Sequence, residues 1–172
     1  MKSLFLVVTV ATFAWPLLAF SQGLSLEFRE SAPTDSFTII NTSACTVDAN
    51  VVIDLTSSQG RLIFDTTAKG AGVEVSQPFE IGSGAEFVAK TPNINDGDKS
   101  ALIALQGLQV GGKVVFTIDL DDTLPNSSLG QIRVAGSEIA GARVSVTTNA
   151  TFSGKFDDNA HAQITMDSCP TS

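Results

Sequence analysis

Basic residues, histidine and tyrosine are scarce in this sequence. Its 172 residues include 10 Lys and Arg against 18 Asp and Glu, one His and no Tyr, which gives a formal net charge of −8 at pH 7. Nucleic-acid binding needs clustered Lys and Arg to neutralise phosphates, so this charge balance excludes that class of partner. A single His likewise excludes every metal site that takes two imidazoles from one chain.

The long hydrophobic run at the start of the chain predicts a signal peptide. Met1-Lys2 supplies a positive end, residues 4–18 are almost wholly apolar, and Ala19-Phe20-Ser21 offers small residues to a signal peptidase. A membrane anchor is the alternative, but a span needs about 20 apolar residues and Pro16 interrupts this run. We therefore expect residues 1–21 to be a cleaved signal peptide. Residues 22–172 are then one secreted domain, extracellular or periplasmic, without a membrane segment.

Cysteine is limited to Cys45 and Cys169. Oxidising compartments favour the pairing of two such thiols, so export predicts a disulfide between them. The bridge would close a loop of about 124 residues and stabilise the fold by up to roughly 5 kcal/mol through lost chain entropy. A redox-active pair is the other interpretation, but a close Cys-x-x-Cys or a neighbouring cation is not visible. We expect a structural bridge that fixes the C-terminal end onto an early strand.

Short runs of alternating apolar and polar residues recur along the predicted domain, and this period-two pattern is typical of β-strands. Turn-forming clusters such as Ser57-Ser58-Gln59-Gly60 separate the runs at intervals of about 8 to 12 residues, as in sandwiches and barrels. We predict an all-β fold, a single-domain antiparallel β-sandwich of about eight to ten strands. The runs are Leu24–Phe28, Val47–Leu55, Leu62–Phe64, Val73–Val75, Phe87–Ala89, Leu102–Leu105, Val114–Leu120, Ile132–Val134, Val144–Val146 and, with an interruption, Phe152–Met166.

Signatures of enzymes are mostly missing. The sequence has no Walker loop and no Gly-x-Ser-x-Gly motif, and Gly70-Ala71-Gly72 lacks the third glycine and the following helix of a dinucleotide loop. We interpret that glycine pair as a turn between two strands. The lone His161 is more readily explained as an exposed or strand-side residue than as a catalytic base. The sequence therefore predicts a protein that is not an enzyme.

Acidic residues concentrate in two places and predict a calcium site. In the strand that starts at Val114, alternate apolar residues from Val114 to Leu120 should face the core. Asp119 and Asp121 then share the other face, and Asp122 follows at the strand end. The loop Asn93–Asp98 adds Asp96 and Asp98, and calcium takes six to eight oxygens of these types. The alternative is that these acids only cap turns and keep the surface soluble. Further acids that loop packing can add are Asp65, Glu74, Asp157 and Asp158.

Several stretches resemble the bacterial proteins called aggregation factor core, a family named after a marine sponge adhesion protein. They are Gly60–Asp65, Gly70–Glu80, Asp96–Asp98, Val115–Thr123 and Gly136–Ala142, within a span from Phe37 to about Val146. The resemblance implies a secreted β-domain associated with extracellular, calcium-dependent adhesion or self-association. Its partners would be further copies of the chain, a matrix polymer or a cell surface. Sponge aggregation factors are large glycosylated assemblies, so this small chain departs from them in scale.

Two function classes follow from the sequence. The first is a secreted, non-enzymatic module for extracellular adhesion or self-association, with calcium as the cofactor. The second is a β-sandwich that binds calcium or a small ligand and has no adhesive role.

Overall fold

The computed structural model describes residues 22–31, 34–73, 77–127, 130–131 and 133–166. The predicted signal peptide, Glu74 and Cys169 lie outside these residues, so the predictions that concern them stay predictions. Within the described ranges, none of the helices has both the length and the apolar character needed to cross a membrane.

The described residues form twelve strands, ten of which build two five-stranded antiparallel sheets that pack face to face. The strands are β1 (Gly23–Arg29), β2 (Ser36–Asn41), β3 (Val47–Asp54), β4 (Ile63–Asp65), β5 (Glu80–Ser83), β6 (Val88–Lys90), β7 (Ser100–Leu108), β8 (Lys113–Thr117), β9 (Asp119–Asp121), β10 (Arg143–Thr147), β11 (Thr151–Lys155) and β12 (His161–Thr165). One sheet has the order β12-β1-β2-β8-β5 and the other the order β11-β10-β3-β7-β6. The remaining strands, β4 and β9, pair with each other as a separate two-stranded ribbon.

The core lies between the two sheets and is built from alternate residues of each strand. In β1 and β2, for example, Leu24, Leu26, Phe37 and Ile39 are fully buried, while the residues between them are less so. Phe37 packs within an aromatic group, with its ring centroid 5.0 Å from Phe28 and 5.2 Å from that of Phe116 in β8. This alternation is the feature that the sequence pattern detects.

The predicted antiparallel β-sandwich is therefore confirmed, with differences in its details. The two sheets contain ten strands, within the predicted eight to ten, although β2 and β5 were not predicted and the run Val114–Leu120 divides into β8 and β9. Val73 is not in a strand, since its backbone N–H donates to a carboxylate of Asp121 and not to a neighbouring strand. Val134 is buried, but it lies in a loop and not in the predicted strand.

The first cysteine sits in the short connection between β2 and β3. The buried side-chain amide of Asn41 donates to the carbonyl oxygens of Cys45, at 2.7 Å, and Leu108, at 2.8 Å. These bonds fix the backbone around Cys45 beside the end of β2. The predicted bridge to Cys169 would attach the C-terminal end at this point.

Truncation of Phe37 tests the packing of the core. We expect Phe37→Ala to lower the free energy of unfolding by about 3–5 kcal/mol, because it removes a fully buried ring and leaves a cavity among other rings. Leu102→Ala is the control, since Leu102 is 52% exposed and its loss should change stability by about 0.5 kcal/mol or less. Urea denaturation measures both, and equal losses for the two variants would contradict the assigned core.

Candidate metal centre

The run of residues that begins in β8 leaves the sandwich at Ile118. Up to Thr117 the chain pairs with β2 and β5, whereas Asp119–Asp121 pair with Ile63–Asp65 in the ribbon. Ile118 is not in a strand, and its N–H donates to the backbone carbonyl of Asp35 at 3.2 Å. The sequence change from apolar alternation to Asp-Leu-Asp therefore coincides with a change of pairing partner.

The register of the ribbon brings three carboxylates to one face. Asp65 lies directly opposite Asp119, and Asp121 follows Asp119 by two residues, so all three side chains share a face of the pleated pair. One carboxylate oxygen from each lies within 4.8 Å of the others. The alternate residues Phe64 and Leu120 form the opposite face and are fully buried in the hydrophobic core. We call Asp65, Asp119 and Asp121 the aspartate centre.

The aspartate centre is buried, and most of its oxygens in Asp65 and Asp121 lack donors. Asp65 is 0% exposed, Asp121 1% and Asp119 7%. Both carboxylate oxygens of Asp65 and Oδ1 of Asp121 have no hydrogen-bond partner among the described residues. Buried polar groups are normally paired, and a charged group without a partner costs several kcal/mol. Something other than the described side chains and amides must satisfy these oxygens.

A fourth acid, Asp35, adjoins the aspartate centre from the chain before β2. It is 7% exposed, and its Oδ1 accepts the backbone N–H of Ser31 at 3.2 Å. Burial, with repulsion from Glu30 and Asp121, raises the pKa of Asp35 to about 7. Asp35 was not among the acids that the sequence predicted as ligands.

The same physical causes act on the aspartate centre itself. Burial, together with the neighbouring carboxylates of Asp96 and Asp121, raises the pKa of Asp65 to about 7. The pKa of Asp119 is also raised to about 7, by burial first and then by Asp35, Asp121 and Asp65. Burial raises the pKa of Asp121, although the N–H of Val73 opposes this. Four carboxyl groups thus share one poorly hydrated neighbourhood.

No basic side chain among the described residues forms an ion pair there. The ion pair that the described part of the chain does contain joins Arg29 to Glu27, at 3.8 Å, and both side chains are exposed. Among the described residues, only backbone N–H groups therefore oppose the negative charge of the aspartate centre. Protonation of a carboxylate is the other way in which this charge can be reduced.

Residues 66–73, which we call the covering segment, lie over the aspartate centre. The N–H of Val73 donates to Oδ2 of Asp121 at 2.6 Å. The half-buried Asp96 receives the N–H groups of Ala71, at 2.6 Å, and Thr66, at 3.1 Å, and these bonds lower its pKa. Asp96 thus joins the covering segment to the edge of the aspartate centre.

The other predicted ligands lie outside the aspartate centre. Asp98 accepts both the backbone and the side-chain N–H of Asn95, at 2.7 and 3.1 Å, and so stabilises its own loop. Asp122 is buried and its Oδ1 accepts the N–H of Leu124 at 3.0 Å, while its Oδ2 has no partner in the ranges that the structure describes. Asp157 and Asp158 are exposed in the turn between β11 and β12, next to the exposed His161.

The arrangement is suited to a hard cation. Calcium binds oxygens at 2.3–2.6 Å, so two of its ligands can be separated by up to about 5 Å, a span that includes the 4.8 Å of the aspartate centre. Asp65 and Asp121 offer three oxygens that have no hydrogen-bond partner within the described part of the chain. A cation there would keep the carboxylates ionised and remove their mutual repulsion.

Comparison with known proteins identifies no relative: no family model, no curated protein and no solved structure matches this chain.

The raised pKa values predict how the stability of the metal-free protein depends on pH. Asp35, Asp65 and Asp119 have folded pKa values of about 7 against 3.8 for an ordinary aspartate, so the folded state holds more protons between those values. Their contribution to stability is complete below pH 4 and is lost as the pH rises to 7. Each carboxyl group gives a slope of at most about 1.4 kcal/mol per pH unit.

Urea denaturation in a chelator at pH 4, 5.5, 7 and 8 measures this slope. Asp65→Asn should flatten it, whereas Asp158→Asn, which alters an exposed acid, should leave it unchanged. A metal-free protein whose stability rises from pH 4 to pH 7 would contradict the assignment.

Proposed function

We propose that this chain is a calcium-binding β-sandwich module of an exported protein. The observation that carries the proposal is the carboxylate of Asp65, which is fully buried beside Asp119 and Asp121 and whose two oxygens have no hydrogen-bond partner among the described residues. A bound divalent cation supplies the positive charge that this group of acids requires.

The ligand types favour calcium over the other common divalent ions. The aspartate centre offers only carboxylate oxygens, and the one histidine is exposed elsewhere, so the soft and imidazole ligands that zinc and copper prefer are not supplied. Magnesium dehydrates reluctantly and keeps several waters, which suits an open site better than one buried to this degree. Calcium accepts irregular sets of six to eight oxygens, including backbone carbonyls.

The aspartate centre favours binding over catalysis. Its carboxylates are covered by the backbone of the covering segment, which leaves little room for a substrate over them. The proposed export also suits calcium, since extracellular modules bind this ion with dissociation constants of about 10⁻⁴–10⁻³ M.

Calcium should stabilise the folded protein, and neutralising Asp65 should abolish that effect. At 100 times its dissociation constant the ion adds about 2.7 kcal/mol to the free energy of unfolding, or about 5–10 °C in Tm for a domain of this size. In Asp65→Asn we expect the calcium response to be lost while the Tm in chelator rises at pH 7.5. The rise follows because a neutral amide, which can donate to the neighbouring carboxylates, replaces a buried charge.

The opposite signs of these two effects separate a ligand from a merely structural residue, since loss of a structural contact would lower the Tm in both conditions. Asp158→Asn is the matched control and should keep the full calcium response. A wild-type melting curve that is the same in chelator and in millimolar calcium would refute the site.

Adhesion or self-association remains a prediction from the sequence resemblance. If the chain has that role, we expect it to associate with itself in millimolar calcium and to dissociate in chelator. Light scattering over a range of protein concentrations measures this. A chain that stays monomeric in both conditions would leave the calcium-binding module without a self-adhesive role.

A further inference from the structure

We infer that the covering segment, residues 66–73, is a strap that calcium holds closed over the aspartate centre. This inference rests on the proposed calcium site. It adds that the ion controls whether this part of the surface is open, and that the ion enters and leaves through movement of the strap.

The strap is attached to the site mainly through carboxylates. Its backbone N–H groups at Ala71 and Val73 donate to Asp96 and Asp121, each at 2.6 Å, and Thr66 donates to Asp96 at 3.1 Å. The same residues 66–73 contain no strand, and positions 67–71 are exposed. Regular sheet pairing and buried apolar side chains therefore contribute little to holding positions 67–71 in place.

Glycine allows the strap to lie directly on the carboxylates. A Cβ atom on Gly72 would approach the carboxylates of Asp121 and Asp65 more closely than 3.0 Å, a separation that real Cβ atoms essentially never show. A Cβ on Gly70 would meet the carboxylate of Asp96 in the same way. A side chain at either position would therefore require the carboxylate beneath it to move while the strap is closed.

The state of the carboxylates therefore decides how firmly the strap is held. Among the described residues, nothing else holds the two oxygens of Asp65 or Oδ1 of Asp121, so without a cation the carboxylate that accepts the N–H of Val73 is poorly fixed. A cation bound to these oxygens would fix both carboxylates in position, so the bond from Val73 is retained. Calcium and strap closure should consequently stabilise each other.

Trypsin provides the test, because Lys69 is exposed near the middle of the strap. In chelator we expect cleavage after Lys69 well below the melting temperature, and at ten times the calcium dissociation constant we expect it to slow about tenfold. Lys113 in β8 and Lys155 in β11 are internal references, since cleavage there requires opening of a sheet. Mass spectrometry of the fragments identifies each site.

A pair of glycine variants tests the strap itself. Gly72→Ala should weaken calcium binding and restore fast cleavage after Lys69 in calcium. Gly82→Ala should behave as the wild type, because a Cβ there meets its nearest neighbour, the carbonyl oxygen of Val115, at an ordinary 3.6 Å. If Gly72→Ala does not fold, the wild-type cleavage rates decide the question alone.

The outcomes separate this inference from the calcium site. A Tm that rises with calcium while cleavage after Lys69 is unchanged would overturn the strap and leave the site intact. Equal calcium protection at Lys69, Lys113 and Lys155 would also overturn it, because calcium would then act only on global unfolding. No response in either measurement would refute the site and the strap together.

Discussion

Repulsion among buried carboxylates is the constraint on which the unusual part of this structure depends. Asp35, Asp65, Asp119 and Asp121 have lost most of their hydration, and the neighbours that dominate their electrostatics are one another and a few backbone N–H groups. Such a group is stable only when protons or a cation reduce its charge. The ribbon of β4 and β9, the covering segment and the proposed ion therefore form one interdependent unit.

The sandwich supplies the rigid base that makes this burial tolerable. Phe64 and Leu120 lie on the opposite face of the ribbon from the acids and are fully buried in the core. The hydrophobic free energy of burying these two side chains, about 1.5–3 kcal/mol each, holds the ribbon in place. Because alternate residues of a strand face opposite sides, anchoring Leu120 in the core fixes Asp119 and Asp121 on the other side. The alternation of side chains along β9 thus places Leu120 in the core and the carboxylates of Asp119 and Asp121 on the opposite face.

The sandwich could be predicted from the sequence because strand alternation is local, as Leu24, Leu26 and Phe28 illustrate. Asp119 and Asp121 could be identified as candidate ligands for the same reason, since their spacing alone puts them on one face. From the sequence, Asp65 could be named only as one of several further acids. Its position beside Asp119 depends on the pairing of β4 with β9, which are far apart in the sequence. Asp35 is an isolated acid in the sequence, so no local pattern marked it as a ligand. Val73 belongs to an apolar pattern that predicts a strand, but its N–H donates to the carboxylate of Asp121 instead of to a strand carbonyl. Hydrophobic periodicity carries no information about such a hydrogen bond.

The burial of the aspartate centre also limits how calcium can act in adhesion. An ion that bridges two molecules needs ligands exposed on the surface of each, whereas Asp65, Asp119 and Asp121 are at most 7% exposed and are covered by their own chain. Calcium bound there cannot be shared directly with a second copy while the covering segment is closed. A calcium-dependent association would have to arise because the ion orders a surface, and the covering segment, whose residues 67–71 are exposed, lies over the proposed site. The charges of the aspartate centre would then determine both the repulsion within the site and the order of the covering segment at the surface.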